Sequence, residues 1–236
     1  MAAGLVASTL TAGAAVARPL DGTWSDTGEI DGIKVFKKLS DETGTSEFRS
    51  KMVIPADIAT LSAALIDGAN FSQWIEGCVE SKVVEEQVSR DPQIPLASQY
   101  SITYGVNTAP WPLKQRDYAV RSTMDIAKDD ASAPISVAFR SELISTPKAP
   151  ENSKRVRVKK MLVNVVLTPV AGDPKATEVD FGLSMDPDVS GPASVVEAVS
   201  RENPPKTLLK LKEFSKALKF DPQLVNTIKE RLARTK

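Results

Sequence analysis

From Tyr100 to Met185 apolar and polar side chains alternate one by one along several stretches, and this alternation restricts the fold more than any other feature of the chain. Val179, Phe181, Leu183 and Met185 alternate with Glu178, Asp180, Gly182 and Ser184. Tyr100, Ile102, Tyr104 and Val106 alternate with small or polar residues, and Ile135, Val137, Phe139, Ser141 and Leu143 with Ser136, Ala138, Arg140 and Glu142. A period of two marks strands with one face more buried than the other. Residues 31–38, 46–54, 79–87, 116–126 and 155–168 predict further strands; in the last the pattern falters near Lys159-Lys160, which predicts a bulge. The breaks at 88–96, 128–134, 146–154 and 171–176 are short and rich in Pro, Asp, Ser, Lys or Gly, as surface loops are. Strands joined by such loops make an antiparallel sheet, and a twisted sheet of this length tends to curl.

Helical spacing takes over in two places. Pro55 opens a run with Ile58, Leu61, Leu65 and Ile66 that ends at Gly68, and a short turn follows at Phe71–Ile75. The C-terminus is helical throughout. Pro192 starts a piece carrying Val195, Val196 and Val199; Asn203-Pro204-Pro205 then predicts an interruption, with Asn203 as cap and Pro204 in a first helical position. Leu208, Leu211, Phe214 and Leu218 form the next stripe, and Asp221-Pro222 caps a last helix with Leu224, Val225, Ile228 and Leu232. Two strands, a helix, six strands and a helical end define an α+β chain in which a late amphipathic helix can lie across the concave face of the sheet.

Two absences narrow the chemistry. The chain has no histidine, which removes Ser-His-Asp and Cys-His nucleophile systems and the common His-based zinc sites. Cys78 is its one cysteine, so neither an internal disulfide nor a Cys-rich metal site is available. No metal and no cofactor is expected. Lys plus Arg and Asp plus Glu balance at 30 each, leaving no basic excess for a nucleic-acid backbone.

Residues 1–17 are set apart by composition. After Met1 they are uncharged Ala, Gly, Val, Leu, Ser and Thr, closing on Ala15-Val16-Ala17, a small-x-small pattern suited to signal peptidase. An export signal, placing the mature chain in the periplasm or another extracytoplasmic space, is one reading; an Ala-rich disordered tail on a cytoplasmic protein is the other. Residues 18–236 are read as one domain.

The stretch Ala109-Pro110-Trp111-Pro112-Leu113-Lys114-Gln115-Arg116-Asp117-Tyr118-Ala119-Val120-Arg121 resembles the Pro-Trp-Pro…Arg-Asp-aromatic-x-x-Arg signature of the steroidogenic acute regulatory protein-related lipid transfer (START) domains. Asp31-Gly32-Ile33-Lys34-Val35-Phe36 matches the family's opening strand, Phe48-Arg49 its second, and Phe71-Ser72-Gln73-Trp74 its aromatic-x-x-Trp motif. Met185-Asp186-Pro187, Gly191-Pro192 and Thr207-Leu208-Leu209-x-Leu211 complete a match over roughly residues 20–218, most similar to single-domain bacterial members. The resemblance implies a helix-grip fold, a curved antiparallel sheet wrapped around a long C-terminal helix. It implies lipid binding, with transfer or sensing of a lipid or sterol-like ligand, and no catalysis. Residues 221–234 depart from the pattern as an extension.

The resemblance singles out Arg121 as a basic residue facing the cavity, where its guanidinium would hold a lipid headgroup or, alternatively, pair with a neighbouring acid such as Glu142. Tyr100, Ile102, Tyr104, Phe139, Phe181, Leu183 and Met185 are candidate wall residues and Leu208 and Leu211 candidate lid residues; such an alternating row is more often plain core, and it is the resemblance that implies a pocket. Trp111, rigid between two prolines, lines the entrance, touches a membrane or packs a corner. Arg116-Asp117 reads as a turn-fixing ion pair or a polar contact at the mouth. The lysines of the C-terminal helix either meet anionic lipid transiently or form a solvated face. Candidate gates are 127–134 and Asp186–Pro192, hinged at Gly191. The competing class is an enzyme of the same fold, a cyclase or lipid hydrolase using Tyr104, Asp117 or Glu142; a third reading is a partner-binding domain. The lipid reading needs a hollow of roughly 300–1,000 Å³ beside Arg121.

Overall fold

The structure, a computed structural model, describes residues 23–109, 113–127, 135–186, 193–217 and 220–235. Trp111, the proposed export signal, Gly191, Leu218 and the gate segments 128–134 and 187–192 lie outside the described residues.

Ten strands build one sheet: β1 (Ser25–Ile30), β2 (Ile33–Leu39), β3 (Ser46–Ile54), β4 (Cys78–Gln87), β5 (Tyr100–Asn107), β6 (Arg116–Ala127), β7 (Ser136–Leu143), β8 (Val156–Arg157), β9 (Lys160–Val170) and β10 (Asp173–Asp186). Their order is β1-β2-β3-β10-β9-β7-β6-β5-β4, antiparallel throughout; only the two-residue β8, parallel to β6, lies off this path. Asp31 and Gly32 occupy a two-residue turn with positive φ (53° and 79°), so the expected opening strand is instead the second arm of a hairpin. The alternation break at Lys159-Lys160 is larger than a bulge: it separates β8 from β9.

The helices are α1 (Ile58–Ile66), α2 (Phe71–Trp74), α3 (Ala193–Lys216) and α4 (Pro222–Arg234). Asp57 caps α1, accepting from the Thr60 N–H at 3.0 Å and the Thr60 hydroxyl at 3.0 Å, with Lys229 of α4 3.3 Å away. Burial works to raise the Asp57 pKa, but the Thr60 bonds and Lys229 outweigh it and hold the carboxyl below its ordinary 3.8. The unfolded chain therefore takes up this proton more readily. The contribution is full above the ordinary value and is lost as pH falls through the lower, folded value. Asp57→Ala is expected to lose about 1 kcal/mol at pH 7. In denaturant titrations from pH 7 to pH 2 the gap from the parent should close at the acid end; a constant gap would contradict the capping role.

Helix α3 runs unbroken through Pro204 and Pro205, against the expected interruption. Each proline removes a donor from the helix ladder, and tertiary contacts override the loss. Asn203, instead of capping, donates through Nδ2 to the Glu76 carbonyl at 3.0 Å. The Thr207 hydroxyl accepts from the Glu76 N–H at 3.1 Å, and Lys210 reaches the Glu76 carboxylate at 2.7 Å. The turn between α2 and β4 thus grips α3 on both sides of the prolines.

The inner face of the sheet is the apolar one. Met124, Phe139, Val165, Phe181 and their neighbours join α1, Leu208, Leu211 and Phe214 in one core cluster. Leu224 and Ile228 of α4 belong to it too. Asp221 caps α4 as expected, accepting from the N–H groups of Gln223 and Leu224. Buried Arg231 donates to the carbonyls of Ser89 and Asp91, both at 2.8 Å, so the C-terminal extension fastens the loop after β4 to α4.

The outer face carries the charges. Arg49 makes two hydrogen bonds to Asp180, whose carboxylate also lies 3.2 Å from Lys51. Arg140 reaches Glu42 at 2.5 Å and Glu142 at 3.4 Å, while the Trp24 ring lies under Lys38 and Arg49.

Candidate functional site

Strand register decides what faces inward. Ser101 lies opposite Ser122, Thr103 opposite Val120, Gly105 opposite Tyr118 and Asn107 opposite Arg116. Across the sheet Ser122 pairs with Ser141, Ser141 with Val163, and Val163 with Leu183. These residues share the inner face. Over part of it, between the sheet and the roof formed by α2 and α3, lies a cavity lined by Asn107, Tyr118, Val120, Phe139, Ser141, Met161, Val163, Phe181, Leu183 and Met185 from the strands. Phe71, Trp74, Ile75 and Asn203 complete its lining from above.

The cavity measures about 30 Å³. That is room for a water molecule and far below the roughly 300–1,000 Å³ of a pocket for a drug-sized ligand. The expectation of an open hollow is not met: side chains fill most of the interior. Met161 and Met185, opposite each other in register, occupy one end of the lining, and Phe71 packs edge-on against Trp74 with ring centres 5.5 Å apart.

Of the candidate wall residues, Phe139, Phe181, Leu183 and Met185 line this cavity. Leu208 and Leu211 are both fully buried in the core cluster beneath α3 but do not reach the lining. Tyr100, Ile102 and Tyr104 project from the outer face, since the inward residues of β5 are Ser101, Thr103, Gly105 and Asn107. Arg121, opposite Ile102, is on the outer face as well. It is exposed, and its guanidinium stacks over the Tyr100 ring with 4.4 Å to the ring centre. Glu142, across from Arg121 in register, takes its salt bridge from Arg140. The cavity therefore does not adjoin Arg121.

Arg116 and Asp117, consecutive on a strand, point to opposite faces. Asp117 accepts from Arg157 Nε at 2.9 Å and from the Tyr104 hydroxyl at 3.0 Å, and Arg155 donates to that same hydroxyl at 2.6 Å. The pair expected to fix a turn is thus replaced by Asp117–Arg157, which ties residues 149–158 to the outside of β5 and β6. Burial and the Asp117 bond raise the Tyr104 pKa, with Arg155 working against them. Three lysines of α3 face acids: Lys206 to Glu202 at 2.5 Å, Lys210 to Glu76 at 2.7 Å and Lys216 to Glu213 at 2.7 Å. Such pairing leaves less of a basic face than the sequence suggests.

The described lining holds no ionised side chain. Arg116, in register with Asn107, turns its guanidinium to the Lys114 carbonyl. Tyr118 donates to the Cys78 sulfur at 3.7 Å; burial pushes the phenol well up and the Cys78 thiol up, so both stay protonated at neutral pH. Two polar atoms of lining residues are buried without a hydrogen-bond partner, Trp74 Nε1 and Asn107 Oδ1. The sequence reading missed both. Asn107 ends the small, polar row of β5 that the aromatic row overshadowed, and Trp74 entered only as part of a motif.

This architecture is the helix-grip fold of the STAR-related lipid transfer domains. A STAR-related lipid transfer protein from Xanthomonas axonopodis superposes with a TM-score of 0.66 at 23% identity, over 82% of this chain and 99% of that one. Human StAR-related lipid transfer protein 5 superposes with a TM-score of 0.67 at 13% identity, over 83% of this chain and 88% of that one. An uncharacterized protein of Pseudomonas aeruginosa is 24% identical over 185 residues, 78% of this chain and 83% of its own length. No family model matches the chain.

Proposed function

We propose that the chain binds a lipid or another apolar small molecule between the inner sheet face and the α2–α3 roof, and carries or senses it without changing it. The observation that carries this reading is the lining beneath α2 and α3, apolar and free of ionised side chains among the described residues, in a fold that the solved lipid transfer proteins share. Burying a dozen methylenes contributes on the order of 10 kcal/mol before ordering costs. Apolar contact alone can therefore supply affinity.

Binding requires the cavity to widen. Two features support such a motion. Met161 and Met185 are unbranched and reshape at low cost. Pro204 and Pro205 leave α3 without two of its ladder donors beside the lining residue Asn203. The residues named for catalysis, Tyr104, Asp117 and Glu142, sit on the opposite face of the sheet, so the enzyme reading gains nothing from the lining.

Native mass spectrometry of the purified full chain is expected to show a copurified lipid, or uptake of one from mixed phospholipid vesicles at one molecule per chain. A protein that stays ligand-free with such vesicles and with a total lipid extract would overturn the reading.

A further inference from the structure

The two partnerless atoms of the lining differ in kind, and the difference specifies a ligand. Trp74 Nε1 can only donate a hydrogen bond; Asn107 Oδ1 can only accept one. Both are buried, both belong to residues lining one cavity, and a buried polar atom without a partner carries the cost of its lost hydration. Three other polar side chains of the described lining already have partners. The Ser141 hydroxyl is 2.6 Å from that of Ser122, Tyr118 donates to Cys78, and Asn203 donates to Glu76 and accepts from Thr207.

The geometry points to a neutral hydroxyl as the polar end of the ligand, accepting from Trp74 Nε1 and donating to Asn107 Oδ1. This inference rests on the lipid-binding reading and adds the ligand's chemical class to it. A carboxylate or phosphate would enter a lining with no cation among the described residues and face the Asn107 oxygen with a lone pair. Among the described lining residues a cation would meet the Asn107 oxygen and no carboxylate. Either charge would lose its hydration without compensation. A pure hydrocarbon would leave both atoms unsatisfied. An alcohol satisfies both at once, and in its absence a cavity of about 30 Å³ has room for a water that does the same.

The test is calorimetric titration of delipidated full chain with four probes that share one tail: 1-hexadecanol, its methyl ether, hexadecanoate at pH 8 and hexadecane. The alcohol is expected to bind tightest and the carboxylate at least tenfold more weakly. The ether, which accepts but cannot donate, should lie between alcohol and hydrocarbon. Trp74→Phe, which keeps the ring and removes the N–H, should weaken the alcohol and the ether about tenfold each and leave hexadecane unchanged. Asn107→Leu should weaken the alcohol alone. Melting temperatures of both variants show that they are folded, and either variant suffices for the reading. Hexadecanoate binding as tightly as the alcohol, or equal weakening of all probes in a folded variant, overturns the hydroxyl inference and leaves lipid binding intact. Failure of every probe overturns both.

Discussion

Asp117→Ala is expected to cost the fold about 3 kcal/mol, the lower part of the range for breaking a buried ion pair. The Asp117 side chain is 1% exposed and its partner Arg157 17% exposed, so solvent screens the pair little. Removing the carboxylate leaves the Arg157 guanidinium with two backbone carbonyls, of Ala149 and Pro150, and no counter-charge. It also takes from the Tyr104 hydroxyl its acceptor. Those carbonyls are the reason for the lower figure. Urea denaturation gives the loss directly. Asp117→Asn combined with Arg157→Met should recover much of it, since an uncharged pair of similar volume carries no stranded charge. A loss below about 1 kcal/mol for Asp117→Ala would show that residues 149–158 are held by something else.

Gly105→Ala is expected to destabilise by about 3 kcal/mol, at the upper end of the usual cost of overpacking. Gly105 lies directly opposite Tyr118, whose ring covers it; a Cβ there would stand about 2.5 Å from ring atom Cε2 and the hydroxyl oxygen. Tyr118 is 1% exposed and has nowhere to go except toward the cavity. The variant should therefore lose ligand uptake along with stability. Adding Tyr118→Leu removes the obstructing ring and should restore a good part of the melting temperature. Full stability of Gly105→Ala alone would mean that β5 and β6 separate more easily than their ladder suggests.

Much of this architecture was legible in the residues. The bounds Ser46–Ile54 of β3 coincide with the expected strand, and Asp221-Pro222 caps α4 as its chemistry dictates. Alternation on β10 also named the inward row, because Phe181, Leu183 and Met185 face polar or small neighbours. The same argument failed on β5. There the more apolar row, Tyr100, Ile102 and Tyr104, faces outward, where Arg121 and Arg155 cover the tyrosines and residues 149–158 overlie the strand. The inward row is Ser101, Thr103, Gly105 and Asn107; Gly105 makes room for Tyr118 and Asn107 supplies the open acceptor. A period of two tells that residues alternate, and only packing tells which parity is inside. Arg121 went astray by the same parity. Helix α3 was read as two pieces because Pro204-Pro205 is a local stop signal, and the grip on Glu76 that overrides it is a contact between residues 127 or more positions apart in the chain.

The sorting of charge onto one face has a consequence for how such a chain can change. Arg49–Asp180, Arg140–Glu42 and Asp117–Arg157 tie the scaffold together from outside, and the described lining on the opposite surface carries no ionised side chain. If the chain binds a lipid as proposed, substitutions among Val163, Leu183, Met161 and Met185 would retune ligand preference without unpicking the electrostatic stitching that keeps the scaffold in register. Selection for a new molecule and selection for a stable protein would act on separate sets of side chains, back to back on the same strands.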